Sequence, residues 1–390
     1  MEICKRELCT GCGACAFVCP KKCIAMAENS TGIIYPEINS KECVSCGACK
    51  KICPQVNRIS LYDIKEAYAA WSCDSETRRT SASGGIAAEI YRLACEKNHY
   101  CAGAVINEDF SVSMEVTESL EKIELFKNSK YVFSSAYNLF EKLKKCVKRE
   151  EQVVVIGLPC QIAAIRKLFG NYEKFLLVDV VCHGTTPTSY LQQHIKRIEK
   201  ESSDKATKLF FRDPNRGTNT YTFAVYNQQD ECFYRKRLAD GDSYQYGYHR
   251  WISYRDNCYQ CQYAQPKRCS DITIGDYKGL GKKTPCTYDE CKVSCVLVHT
   301  EKGKQWIEEL ISKKRIVADA RPIEEPINGD SQLRNPTPKI SGRYRFEREI
   351  KKKAGDFEAA MEVVMKCDRR RNMWQKILSS IKKMKRLILK

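Results

Sequence analysis

Short apolar runs alternate with amphipathic stretches through the middle of the chain. Residues 153–156 (Val-Val-Val-Ile) and 175–181 are apolar, rich in β-branched residues and nearly free of polar alternation. Such runs predict strands buried on both faces of an α/β sheet. Residues 66–71 and 100–106 predict two further strands around a helix over 85–96. Helices are expected over 161–169, 187–200 and 302–313, and strands over 272–274 and 293–298. Over 207–237 the period shortens to two, which predicts an antiparallel layer. The whole reads as an α/β or α+β fold with a mixed sheet. Pro322, Pro326, Pro336 and Pro338, with Gly329 and Gly342, make residues 321–345 read as an extended linker. Beyond it, residues 346–390 predict one basic amphipathic helix. Met373, Trp374, Ile377, Leu378, Ile381, Met384, Leu387 and Ile388 recur there at three and four.

Residues 1–60 follow a different rule, set by cysteine. Cys9, Cys12, Cys15 and Cys19 precede Pro20; Cys43, Cys46, Cys49 and Cys53 precede Pro54. Each set reads C-x2-C-x2-C-x3-C-P, the bacterial ferredoxin run. One C-x2-C would fit zinc or a disulfide equally well, but two complete copies with trailing prolines point to clusters. A tight loop delivers three thiolates and the fourth comes from the other half. The expected ligands are Cys9, Cys12, Cys15 and Cys53 for one [4Fe-4S] cluster, and Cys43, Cys46, Cys49 and Cys19 for the other. Gly11, Gly13 and Gly47 suit the turns, and residues 33–38 suit a hairpin strand between the runs. The module is therefore read as a ferredoxin-like dicluster unit that moves single electrons.

Composition narrows the setting. The chain has 390 residues, 24 of them cysteine, and a formal charge of +18. A chain of this length buries a core without disulfides, so the cysteines point to reduced thiolates and the cytoplasm of an anaerobe or microaerophile. No apolar run reaches the ~20 residues of a membrane span, and no signal peptide is expected ahead of Cys4. Residues 351–390 hold thirteen Lys or Arg against four Asp or Glu. That excess would let the tail lie on the anionic inner face of a membrane, or dock on its own domain or a partner. Aromatics with basic neighbours at 210–212 and 244–248 lack the exposed platform of a nucleic-acid binder, so no nucleic-acid partner is expected.

Four cysteines outside the module stand in notable places. Cys160 follows one predicted strand in Leu158-Pro159-Cys160-Gln161, and Cys182 follows the next. Both fall at carboxyl ends of strands, the usual ligand edge of an α/β sheet. Cys258 and Cys261 form a C-x2-C, and Cys269 precedes Asp271-Ile272-Thr273-Ile274-Gly275-Asp276. Any one alone would be a small buried hydrophobe, and the pair alone half a zinc site; together the four could hold a third cluster. Cys286, Cys291 and Cys295 match no common site and read as structural.

Over roughly residues 65–320 these motifs resemble the beta subunits of coenzyme F420-reducing hydrogenases and dehydrogenases, and 7-hydroxymethyl chlorophyll a reductase is similar. The dicluster module matches a bacterial branch of that family. The resemblance divides the larger domain into residues 65–150 and 151–320. It implies an FAD and a third [4Fe-4S] cluster held by Cys160, Cys182, Cys258 and Cys261, with Cys269 as a substitute ligand. Arg79-Thr80-Ser81-Ala82-Ser83-Gly84-Gly85 opens a helix, where backbone amides favour an anion, and looks like the family's flavin-binding start; Arg79, Ser83, Gly84 and Gly85 are its candidates. Lys127-Asn128-Ser129-Lys130-Tyr131 resembles a second flavin segment, with Lys127, Lys130 and Tyr131 as candidates and Lys130 able to stabilise reduced flavin. His183 is a candidate proton donor.

The expected function is an iron–sulfur flavoprotein oxidoreductase passing electrons between a ferredoxin or another redox protein and an FAD-bound hydride site. The hydride partner is open: a deazaflavin such as coenzyme F420, a sugar-like metabolite or a conjugated bond. No G-x-G-x-x-G follows a strand, which disfavours NAD. Some bacterial members of the family resemble accessory enzymes of surface polysaccharide synthesis. The rival readings are an electron-transfer subunit without turnover of its own, and a cluster-based redox sensor.

Overall fold

The computed structural model describes residues 2–288 and 291–388; side-chain surroundings are described through Trp374, except Asn372. In the module, β1 (Ile24–Glu28) and β2 (Ile34–Ile38) form an antiparallel hairpin. Two short helices, α1 (Ala14–Phe17) and α2 (Ala48–Ile52), carry the third cysteine of each run. Gly13 and Gly47 precede them at φ 82° and 74°, the left-handed region where a Cβ would strain the turn.

The larger domain is built on a nine-stranded mixed sheet. Its strands are β3 (Glu66–Ser72), β4 (Tyr100–Ile106), β5 (Val112–Thr117), β6 (Ser134–Ser135), β7 (Val153–Gly157), β8 (Phe175–Val180), β12 (Ile272–Asp276), β13 (Ser294–Val298) and β14 (Ile316–Ala320). The order is β14-β3-β13-β12-β8-β7-β4-β5-β6. The central strands β4, β7, β8 and β12 run parallel, in register Val153↔Phe175 and Ile272↔Val178. All five residues of β7 are buried, as its unbroken apolar run requires. One face is covered by α4 (Ile86–Glu96) and α10 (Glu301–Ser312), after the short α3 (Ser75–Thr80). The other is covered by α6 (Tyr137–Lys148) and α7 (Pro159–Phe169), after the one-turn α5 (Leu120–Ile123).

Residues 207–237 form the expected antiparallel layer, with β10 (Phe223–Tyr226) between β9 (Lys208–Phe210) and β11 (Cys232–Lys236). That layer packs on α8 (Thr188–Ser202) and α9 (Ser243–His249).

The C-terminal reading needs two corrections. Residues 321–345 are not an extended linker: α11 (Glu324–Gly329) and a 3-10 turn lie within them, and Arg321, Glu325, Asp330, Gln332, Leu333 and Thr337 are buried. Pro326 sits in the first turn of α11, where its missing N–H costs nothing. Arg321 and Glu325 pair at 2.8 Å and tie the segment to Tyr277. Nor are residues 346–390 one helix. The chain breaks at Ala354 and Gly355, both at positive φ, between α12 (Ser341–Lys352) and α13 (Phe357–Ile388). Phe346, Ile350, Phe357, Ala360, Met361 and Val364 are buried in the core around the antiparallel layer. The first part of the tail thus docks on its own domain. Met373 and Trp374 are exposed, and the rest of the stripe lies outside the residues whose side chains are described. No helix among the described residues is long and apolar enough to cross a membrane.

Candidate functional site: three cysteine boxes and a cavity

The two runs fold so that each box draws on both. Cys9, Cys12, Cys15 and Cys53 line one small cavity, with Cys4 beside them. Cys19, Cys43, Cys46 and Cys49 line another, with Cys23 beside them and its Sγ 3.5 Å from that of Cys19. The fourth cysteine crosses over because α1 and α2 pack on each other, leaving the end of each run against the other's loop. No disulfide joins these eight residues.

A third box forms at the carboxyl edge of the central sheet. Cys160, Cys182, Cys258 and Cys261 line a cavity together with Cys12. Cys160 opens α7 just after Pro159, which suits the first helical position. Buried Gln161 fixes that turn: its Oε1 accepts from Leu158 N at 2.8 Å, and its Nε2 donates to Ser134 O at 2.9 Å. Cys182 follows β8. Cys258 lies in a 3-10 turn (Asp256–Gln260) tied down by Arg255 N donating to Thr185 O at 2.9 Å. Cys269 does not line this cavity; it is buried behind it, with its Sγ toward Pro159 O.

The chemistry of this donor set fits a cationic cluster core. Burial pushes the thiols of Cys160, Cys182, Cys258 and Cys261 up, and for Cys160, Cys182 and Cys261 the neighbouring cysteines add to it; Cys261 reaches about 11. Four thiolates here need positive charge among them, which an iron–sulfur core supplies. Two fully buried arginines also line the box, Arg255 and Arg268, and the Nε of each has no hydrogen-bond partner. Arg268 lies 3.9 Å from Asp179 and Arg255 donates to Thr10 O and Ile34 O, so it is the two Nε–H groups that are left for a negative group in the box to complete. Neither arginine was foreseen, because nothing local marks a buried arginine in sequence.

A larger cavity of about 310 Å³ lies against the third box, within the range of small-molecule and cofactor sites. The two cavities share the wall formed by Ser134, Leu158, Gln161 and residues 182–185. Of the expected flavin residues, Ser83, Gly85, Lys127, Lys130 and Tyr131 line it. Arg79 does not: its exposed guanidinium pairs with Glu76 at 2.7 Å. Gly84 does not either. A Cβ there would lie 2.4 Å from Ala70 O and 2.9 Å from Ser294 N, so this glycine lets the start of α4 pack against β3 and β13. Ser83 Oγ is taken by Val293 O at 2.9 Å.

Lys130 is fully occupied. Its Nζ donates to the carbonyls of Phe126, Lys127 and Asn128 at 2.8–3.3 Å, and burial pushes it down to about 7. It staples the loop whose Asn128 stands at φ 68°. Tyr131 stacks on Tyr248 at 4.3 Å to form an aromatic wall. Ser81 Oγ and Asn128 Oδ1, both on residues of the lining, are buried without a partner, as expected where a bound polar molecule completes the set. Arg212, not singled out from sequence, is buried on the cavity with Asp276 at 3.0 Å and Tyr221 under its guanidinium at 4.4 Å. His183 stands on the shared wall. Its Nε2 faces Lys278 Nζ at 2.7 Å and Asp330 Oδ1 at 3.4 Å. Burial opposes ionisation of Asp330, but His183 and Lys278 outweigh it and hold the carboxyl well below the usual range.

Cysteine boxes in series beside a cofactor-sized cavity define an iron–sulfur protein of the electron-transfer class. Comparison with known proteins agrees. Residues 150–324 match the family described as the C-terminal region of the coenzyme F420 hydrogenase/dehydrogenase beta subunit, and residues 8–57 match the 4Fe-4S dicluster domain. Residues 150–324 are thus similar to the C-terminal region of the F420 hydrogenase/dehydrogenase beta subunits, with a 4Fe-4S dicluster match in front of them. A curated relative, one of the subunits of F(420)H(2) dehydrogenase in Methanosarcina mazei, is 25% identical over 190 residues, covering 45% of this chain and 53% of its own. The match therefore spans about half the length of that relative. Among solved structures, a chain of the F420-reducing [NiFe] hydrogenase complex from Methanosarcina barkeri aligns over 78% of this chain and 93% of its own, at 19% identity and a TM-score of 0.46.

Proposed function

We propose that the chain is an iron–sulfur flavoprotein oxidoreductase, passing electrons between a redox protein and a hydride site in the 310 Å³ cavity. The observation that carries this reading is the shared wall: residues 182–185 border both the four-cysteine box and the large cavity, while Cys12 borders both that box and the module's inner box. When bound, cubanes supply one-electron steps and FAD supplies both one- and two-electron chemistry.

The chain's own residues then have distinct tasks. Cys160, Cys182, Cys258 and Cys261 hold the third cluster, and Arg255 and Arg268 offset its negative charge. Ser81 and Asn128 offer polar contacts to FAD, and Lys127 and Arg212 a positive field. Tyr131 and Tyr248 close the cavity wall against water. His183 stands at the wall as the candidate proton relay, its Nε2 positioned by Lys278 Nζ and Asp330 Oδ1. A role in surface polysaccharide metabolism rests on the family resemblance alone.

Anaerobic protein should carry about twelve irons, for three cubanes, and one FAD per chain. Cys258→Ser should lower the count to about eight and leave the module's spectroscopic signals intact. Eight irons in the parent would remove the third cluster, and absence of flavin would remove the hydride site. The relative's place within a multi-part dehydrogenase favours a second reading, in which the chain feeds a partner and turns over nothing itself. Flavin reduction by reduced ferredoxin, with no acceptor consumed across a hydride-acceptor screen, would select it.

A further inference from the structure

The three boxes differ in how they meet solvent. Cys12 of the inner box is shared with the four-cysteine box, and Cys15 and Cys53 are buried. The outer box is at the surface: Cys46 is exposed, Cys43 and Cys49 are half-buried, and nothing lies within 4 Å of where a Cβ on Gly47 would stand. The boxes therefore stand in series, with one end open to solvent.

That open end has a distinct surface. Lys21 and Lys22 follow Cys19; Lys41 precedes Cys43; Lys50 and Lys51 stand on α2. All five are exposed, and Glu42 is the one acidic residue between 40 and 53. Even with about −2 from a cubane on four thiolates, the lysines leave a positive rim. Val44 and Val56, 58% and 47% exposed, add apolar surface near the thiolates. An apolar centre with a charged rim suits a brief, steered encounter, and redox complexes of this kind sit at the small end of interface sizes.

We infer that the face around Lys21, Lys22, Val44, Cys46, Lys50 and Lys51 docks an acidic one-electron carrier protein. The inference rests on the proposed function and names its partner's charge and landing site. In the docking step one electron leaves the carrier and enters the outer box; no proton or bond is exchanged. The lysines steer the carrier, so the association rate rises with their field and falls as salt screens it.

The test uses anaerobic, cluster-loaded full chain and two reductants in stopped flow: a purified acidic 2[4Fe-4S] ferredoxin and methyl viologen radical, a small cation that needs no docking face. Reversing Lys21, Lys22, Lys41, Lys50 and Lys51 to Glu should lower the second-order rate with ferredoxin at least tenfold at low salt and flatten its salt dependence. Reversing Lys205, Lys313 and Lys314, exposed on the larger domain, should change it less than twofold. Iron content and a viologen rate no slower than the parent's show that the five-lysine variant is folded and loaded. A milder Lys→Gln set at the same five positions should fall between. A five-lysine variant that keeps its iron and accepts ferredoxin electrons at the parent rate overturns the inference and leaves the proposed function standing. Parent protein that carries iron and flavin but responds to neither reductant overturns both.

Discussion

Arg255 fastens the module to the larger domain, and its removal is the sharpest test of how the boxes are aligned. Its Nη1 donates to Thr10 O at 2.6 Å and its Nη2 to Ile34 O at 3.1 Å, while the guanidinium lies 4.3 Å over the ring of Phe133. The fit is close: a Cβ on Gly11 would stand 2.7 Å from Nη2. Each charged hydrogen bond contributes about 1.5–3 kcal/mol, and a desolvated cation–π contact up to about 2 kcal/mol. One group serves all three contacts, so they do not add fully, and Arg255→Ala should weaken docking by about 3–5 kcal/mol. At about 1.4 kcal/mol per decade, the undocked population rises roughly a hundred- to several-thousandfold. Tyr62 and Arg268 exchange backbone hydrogen bonds at the junction, at 2.6 and 3.0 Å. Their amides should therefore show hydrogen exchange faster by that factor, read in anaerobic protein under conditions where exchange follows the opening equilibrium. Arg255→Lys should be intermediate, since an ammonium replaces the planar fork. Exchange at Tyr62 within threefold of the parent, in Arg255→Ala protein that keeps its module iron, would refute the reasoning.

Two further outcomes are expected. Gly84→Ala should displace the start of α4, because its Cβ meets the Ala70 carbonyl at 2.4 Å; thermal unfolding should fall by several degrees and flavin retention should drop with it. His194 is buried between Asp242 at 2.9 Å and Glu358 at 2.7 Å. Burial alone would lower its pKa, but the two carboxylates raise it to about 9 from 6.5. A raised folded-state value stabilises fully below pH 6.5 and is lost as pH climbs through 9, so His194→Gln should flatten the decline in melting temperature across that window. An unchanged pH slope would show that His194 is not protonated.

What could be read ahead of the structure was what is local in the chain. The two cysteine runs, the apolar run at 153–156 and the Pro159–Cys160 turn declare themselves within a few residues. The crossed ligand sets follow from the loop's reach. Arg212, Arg255, Arg268, Lys278 and Asp330 were not legible, because each gains meaning only when distant segments meet: Asp330 lies 147 positions beyond His183, yet 3.4 Å from it. The proline-rich stretch 321–345 misled for the opposite reason. Its prolines do mark turns, but the Arg321–Glu325 pair and the burial of Leu333 fold those turns onto the sheet. Gly84 matched a phosphate-cradle pattern, while its contacts show a packing need.

The exchange of Cys19 and Cys53 between the module's boxes has a consequence for biogenesis. With ligands pooled in this way, a nascent chain that has emerged only as far as the first run has three of the inner box's four thiolates and only one of the outer box's. With these boxes as the ligand sets, the outer set would be complete only at Cys49 and the inner only at Cys53, so iron delivery would wait for the second repeat and then complete both within a few residues of each other. The same interlock makes damage contagious. Oxidation that strips the exposed box releases Cys19 at the end of α1, and α1 also carries Cys15. Under the proposed ligand sets, loss of the surface cluster would thereby loosen the buried one.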